Sequence, residues 1–145
     1  MTTNFITKKD ISRKYYIVDA EDKILGRLAT QVALLLSGKR KTDYTPNTDN
    51  GDFVVVVNAS KVKTTGLKSE QKIYKHYSGY PSGQKTRTLG KMMDVKPEEV
   101  IRHAVKGMIP KNKLGSRMIT RLKVYAGPEH PHKAQAPEKI EVSEG

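Results

Sequence analysis

Phe53-Val54-Val55-Val56-Val57-Asn58 is an unbroken apolar run, almost all of it β-branched, with no polar residue until its end. A strand with one face in water alternates apolar and polar residues. This run does not alternate, so it reads as a strand buried on both faces, as in a parallel sheet covered by helices. Upstream, Lys14-Tyr15-Tyr16-Ile17-Val18-Asp19 is β-branched and aromatic and reads as a second strand. Between the two, Leu25, Leu28, Ala29, Val32, Ala33, Leu35 and Leu36 recur at helical spacing. Gly38 stands where a glycine would end that helix, and Asp22 is its expected N-cap. Strand, helix and buried strand in this order point to a mainly parallel sheet.

Lys39 to Asp52, with Pro46, Asn50 and Gly51, reads as a loop. Beyond it, Lys72 to Tyr77 alternates as a strand, and Ser78-Gly79-Tyr80-Pro81-Ser82-Gly83 is an exposed turn. Pro97 suits a first helical position, with Glu98 and Glu99 in the favoured first turn. Val100, Ile101, Ala104, Val105 and Met108 give that helix an apolar face, and Pro110 ends it. A second helix is expected over Leu114 to Leu122, and a short strand over Lys123-Val124-Tyr125. The expected architecture is an α/β sandwich with a mainly parallel four-stranded sheet. Its core spans 14–127. A flexible N-terminal arm occupies 1–13, and an extended tail with Pro128, Pro131 and Pro137 occupies 128–145.

The 145 residues amount to one domain. Leu, Ile, Val and Phe together make up about 22% of the chain, just above the roughly 20% floor below which highly charged chains stay unfolded. The core is therefore thin. Cysteine is absent, which removes disulfides, thiolate catalysis and a zinc ribbon, and fits an intracellular site. No apolar run approaches the ~18 residues of a membrane span, and Met1 to Ile11 lacks the apolar region of a signal peptide. Lys and Arg total 27 against 15 Asp and Glu, for a net charge of +12. A polyanionic partner is expected, nucleic acid before membrane, because no stretch is both strongly amphipathic and basic.

The charge is unevenly placed. Lys61 to Lys91 holds eight bases against the single acid Glu70, and Val100 to Pro128 holds seven against none. Lys39-Arg40-Lys41 is a smaller cluster, whereas Thr42 to Ser60 holds three Asp and no Lys or Arg. Self-repulsion on that scale destabilises an isolated fold, so a compensating polyanion explains the windows better than solubility does. One basic surface is expected from Lys61, Lys63, Lys68, Lys72, Lys85 and Arg87. A second is expected from Lys106, Lys111, Lys113, Arg117 and Arg121.

Catalytic signatures are missing. Gly38-Lys39 follows a helix rather than preceding one, with Ala33 and Arg40 where a phosphate loop needs Gly and Ser or Thr. The first strand–helix junction has one glycine, Gly26, not a dinucleotide fingerprint. No Gly-x-Ser-x-Gly elbow occurs. His130-Pro131-His132 has no third metal ligand nearby, so no metal or other cofactor is expected. His103 reads as a polar-face helix residue. Asp43, Asp49 and Asp52 read as loop caps and turn hydrogen bonds. Nucleic-acid features fare better. Tyr74, Tyr77 and Tyr80 interleave with Lys72, Lys75, His76 and Lys85, so rings can stack on unpaired bases while Lys neutralises phosphate. Tyr74 equally suits a core position, but Tyr80 in its Gly/Pro/Ser loop does not. His130 and His132 suit phosphate contact or base stacking. The spacer around Pro110 does not resemble the turn of a helix-turn-helix. The residues alone leave RNA and DNA open, and the terminal arms favour RNA.

Several blocks carry a family resemblance. They are Tyr16-Ile17-Val18-Asp19-Ala20, Leu25-Gly26-Arg27-Leu28-Ala29, Tyr44-Thr45-Pro46, Gly51-Asp52, Val56-Val57-Asn58-Ala59 and Lys72-Ile73-Tyr74. Ala104-Val105-Lys106-Gly107-Met108-Ile109-Pro110, Val124-Tyr125-Ala126-Gly127 and Glu129-His130-Pro131-His132 follow in order. Together the blocks resemble the bacterial large-subunit ribosomal protein L13 family, over residues 15–137. Departures are small: Tyr15-Tyr16 where the family usually has Trp, Asn47 where it has His, and Pro81-Ser82-Gly83 in its Pro-Gly-Gly loop. The resemblance implies a three-layer α/β/α fold and a non-enzymatic protein of the cytoplasmic or organellar ribosome. It implies binding to large-subunit ribosomal RNA beside other ribosomal proteins, and a role early in subunit assembly. A small-molecule substrate, a membrane and self-association are not expected. Arg27 becomes an expected RNA contact through its family block. Gly107, Met108 and Pro110 are read as shaping a helix end so that backbone can approach RNA. The rivals are a non-ribosomal RNA-binding regulator, a nucleotide-dependent α/β enzyme and a DNA-compacting protein.

Overall fold

A computed structural model describes residues 5–143. The β-branched run forms β2 (Phe53–Val57), and Val54 to Val57 are all buried. It pairs in parallel with β1 (Tyr15–Asp19), Ile17 opposite Val55. Between them runs α1 (Leu25–Ser37), whose buried face is Leu25, Leu28, Ala29, Val32, Ala33, Leu35 and Leu36. Gly38 ends it in the left-handed region at φ 79°, its N–H bonded to the Leu35 carbonyl at 3.3 Å. Gly51 is required for another reason: a Cβ there would overlap the carbonyl of Leu36. Asp22 is not the cap. It sits in a left-handed turn at φ 59° and pairs with Lys63 at 2.8 Å, while Ile24 occupies the N-cap position.

The remaining elements are α2 (Lys68–Gln71), β3 (Ile73–Tyr77), β4 (Gln84–Thr88), α3 (Leu89–Val95), α4 (Pro97–Met108), α5 (Lys113–Thr120), β5 (Leu122–Val124) and β6 (Glu138–Ile140). The main sheet has the order β5-β2-β1-β6, every pair parallel, and helices flank it in a three-layer α/β/α arrangement. Val18, Val54, Val56, Leu122 and Val124 share one core cluster with α1 and with Val100, Ile101 and Val105 of α4. Asn112 caps α5, its Oδ1 accepting from the Gly115 N–H at 2.9 Å.

Two placements differ from the expectation. The strand read at Lys72 to Tyr77 does not join the sheet. It forms an antiparallel hairpin with β4, a strand the sequence pattern did not mark. The reason is polarity: Lys75, His76 and Tyr77 are exposed, and a covered parallel sheet offers no polar face for them. The fourth strand of the sheet is instead β6, from the segment read as extended tail. It lies at an edge, where Glu138 and Lys139 can face water. Val142, 5% exposed, anchors the chain beyond it. At the other end Ile6 is buried, so part of the segment read as an N-terminal arm packs on the body.

Candidate nucleic-acid interface

The two basic windows meet at the C-terminal end of α4. Lys68 and Lys72, from the first, line the same cavity as His103, Gly107 and Met108, from the second. Met108 also lines a cleft with Thr30, Lys39 and Pro110. Pro110 in turn lines a cleft with Lys106, Lys111 and Lys113. Adjoining clefts thus bring Lys68 and Lys72, Lys39, and Lys106, Lys111 and Lys113 around the end of α4. Thr30 Oγ1 at 3.5 Å from Met108 Sδ holds α1 against the end of α4.

Many basic side chains on this path are bare. Lys39, Lys106, Lys111, Lys113 and Arg117 are exposed, and their side chains have no protein partner among the described residues. Arg117 lies further round α5, in a cleft it shares with Lys8 and Arg13. Among the described residues Lys68 reaches only the Thr65 hydroxyl, at 3.3 Å. Arg27 is exposed on the first turn of α1. Lys61 and Lys63 form exposed pairs with Glu21 and Asp22, each at 2.8 Å. Such solvent-screened pairs are weak and leave both lysines able to meet a phosphate. The Arg40 guanidinium bonds the Gln31 side-chain carbonyl.

The hairpin sorts its side chains by pairing. Tyr74 with Arg87 and His76 with Lys85 share one face; Ile73 with Thr88, Lys75 with Thr86 and Tyr77 with Gln84 share the other. Tyr74 docks the first face, its ring edge-on to His103 at 5.1 Å and under the Lys72 ammonium at 5.4 Å. Its hydroxyl is buried without a partner among the described residues, and burial raises its pKa. On the second face Ile73 and Tyr77 are exposed, and Tyr80 at the turn is 74% exposed.

Three expected contacts are committed elsewhere. Arg121 is only 5% exposed and does not reach the surface. It grips Asp49 with both terminal nitrogens, at 2.6 and 2.7 Å, and donates to the Leu36 carbonyl at 2.7 Å. Lys41 is turned inward onto Asp52 at 3.1 Å and the Ser12 carbonyl at 2.8 Å. Asp49 and Asp52 are thus more than turn caps: with Arg13, Lys41 and Arg121 they fasten the loop after α1 to the sheet. Nothing in their spacing marks this, because the partners are up to 72 residues apart.

His132 is the third. Its Nε2 lies 2.7 Å from the Tyr125 hydroxyl, and its backbone N–H donates to His130 Nδ1 at 3.2 Å. The contact latches the C-terminal segment to the end of β5. Burial, then the neighbouring His130 and Lys123, hold the His132 imidazole below the usual histidine value of 6.5. A depressed histidine is neutral in the fold. Its contribution to stability is complete above the unfolded value and is lost as pH falls through the folded one. Acidification through that window is expected to lower the amide protection factors of β6 in hydrogen exchange. His132→Gln is expected to abolish the pH dependence.

Among the described residues no group of three or more His, Cys, Asp or Glu is placed to hold a metal, and no helix is long and apolar enough to cross a membrane.

The sequence profile of Ribosomal protein L13 matches residues 13–131. The chain is 54% identical to the large ribosomal subunit protein uL13 of Geobacter sulfurreducens, over 97% of this chain and 99% of that protein. It is 60% identical to the uL13 of Thermus thermophilus, over 92% of this chain and 96% of that one. The uL13 of Caldanaerobacter subterraneus is also 60% identical, over 92% and 93%. With the profile matching most of its length and these relatives 54–60% identical over nearly their whole length, the chain belongs to the ribosomal protein L13 family.

Proposed function

We propose that this chain binds large-subunit ribosomal RNA through the basic path around α4 and supports early assembly of the subunit. Its family makes it a structural protein of the large ribosomal subunit, cytoplasmic within the ribosome, and not an enzyme. The observation that carries the RNA reading is the set of exposed bases without a partner among the described residues at Lys39, Lys106, Lys111, Lys113 and Arg117. Bases without acids are costly in isolation and favourable once phosphates release their counterions. The hairpin carries Lys85 and Arg87 on one face, Lys75 and exposed Tyr77 on the other, and Tyr80 at its turn, a mix of bases and rings that suits irregular RNA with unstacked bases. Arg27, Lys61, Lys63, Lys68, Lys72 and the open side of His130 complete the proposed contacts. Neighbouring ribosomal proteins are the remaining partners.

Gradient sedimentation of a cell lysate tests this. The chain is expected in the large-subunit fractions and is expected to leave them when salt is raised. If it stays at the top of the gradient, free or on messenger RNA, the ribosomal reading is overturned in favour of a separate RNA-binding regulator.

A further inference from the structure

Gly26 and Gly107 lie in the first turn of α1 and the last turn of α4, where glycine is a poorer helix former than alanine. The fold requires neither. Neither has a positive φ, and a Cβ on either meets no atom within 4 Å. The other two helical glycines differ: Gly90 faces the Ser69 carbonyl at 3.2 Å, and a Cβ on Gly115 would overlap the Pro110 carbonyl. Gly26 opens α1 and Gly107 closes α4, far apart in sequence. Both line the same cavity, of about 710 Å³.

The rest of the lining is equally particular. Leu25, Leu89, Ala104 and Met108 supply an apolar wall. Lys68, Lys72 and His103 supply positive or stacking groups, and Thr64, Thr65 and Gln71 supply hydrogen-bonding ones. No Asp or Glu lines it. Clefts of roughly 300–1,000 Å³ with apolar walls and a few polar groups hold drug-sized ligands, and a nucleoside is of that kind. Basic side chains at the edge of an apolar slot suit an occupant with an apolar ring and an anionic backbone.

We infer that this cavity receives one unpaired nucleotide extruded from the bound RNA. Its base enters the slot beside His103 and over Gly26 and Gly107, and its flanking phosphates meet Lys68 and Lys72. The two glycines leave the depth that the ring needs. The inference rests on the RNA reading above and sharpens it, because it makes one position on the surface a reader of RNA shape rather than of charge alone.

Gly107→Leu fills the slot without changing charge, and Gly107→Ala does so partly. A Cβ at 107 meets no atom within 4 Å, so Gly107→Ala is expected to melt at or above the wild-type temperature, and a thermal melt of Gly107→Leu selects protein that is folded for the comparison. Chemical probing of large-subunit ribosomal RNA with the full chain is the readout. Wild type is expected to protect one unpaired base strongly, within a broader backbone footprint. Gly107→Leu is expected to restore that base's reactivity while the backbone footprint persists, and to weaken binding about tenfold, the loss of one stacked base. Gly107→Ala is expected to fall between. An unchanged protection pattern with folded Gly107→Leu overturns the inference and leaves the RNA reading standing. Wild-type RNA binding that survives in Gly107→Leu, with entry into subunits lost, assigns the cavity to a protein segment and also overturns it. No footprint with wild type overturns both readings.

Discussion

Reversing Lys111, Lys113 and Arg117 together to glutamate is expected to abolish stable RNA binding while the isolated protein stays folded. All three side chains are exposed and have no partner among the described residues, so no internal contact is lost. Glutamate at 113 falls at the first position of α5, where a negative charge is favoured. Glutamate at 117, in the last turn, opposes the dipole by roughly 0.3–1 kcal/mol. The net effect on stability is small. Binding is different. Three lost phosphate contacts reduce the salt slope of log affinity by about three. At physiological salt the counterion term alone makes that about 100-fold, and repulsion by three new acids adds to it. Filter binding across a salt series, beside a thermal melt, measures both quantities. Wild-type affinity and slope in the triple variant would remove this edge from the interface.

Arg121 is expected to behave in the opposite way. Arg121→Leu leaves Asp49 with only Arg13 among the described residues, at 3.6 Å, and removes the Arg121 donor from the Leu36 carbonyl. Removing one partner of a buried ion pair costs about 3–5 kcal/mol, a large part of the roughly 5–15 kcal/mol that hold a domain together. A fall in melting temperature of about 10 °C or more follows. Arg121→Lys is expected to recover only part, because an ammonium cannot grip both carboxylate oxygens and a carbonyl at once. Arg121→Leu with Asp49→Leu is expected to be more stable than Arg121→Leu alone, since no unpaired charge remains. RNA affinity, corrected for the folded fraction, is expected to stay at the wild-type value. Normal stability with lost RNA binding in Arg121→Leu would return this residue to the interface.

The contrast between these two arginines shows how far the sequence could be read. Arg117 and Arg121 lie four residues apart in the same basic window, and nothing in composition separates them. Arg117 stays in solvent, whereas Arg121 turns into the body because Asp49 waits there, on a loop 72 residues away. Lys39 and Lys41 divide in the same way, one bare and one drawn to Asp52. The hairpin was half legible. Alternation marked β3, but Gln84-Lys85-Thr86-Arg87-Thr88 has no apolar face and becomes a strand only because β3 pairs with it.

The sequence by itself determined the parallel α/β scaffold, since an unbroken β-branched run and a 3.6-residue apolar period are local patterns with one economical burial. Its excess of unopposed bases gave the proposed partner its sign, and its blocks carried the family. Tertiary structure alone decided which bases remain free and where the two windows meet. It alone placed Gly26 and Gly107 on one cavity. Those outcomes depend on long-range contacts between residues that share no sequence neighbourhood, and charge or glycine spacing along the chain holds no record of them.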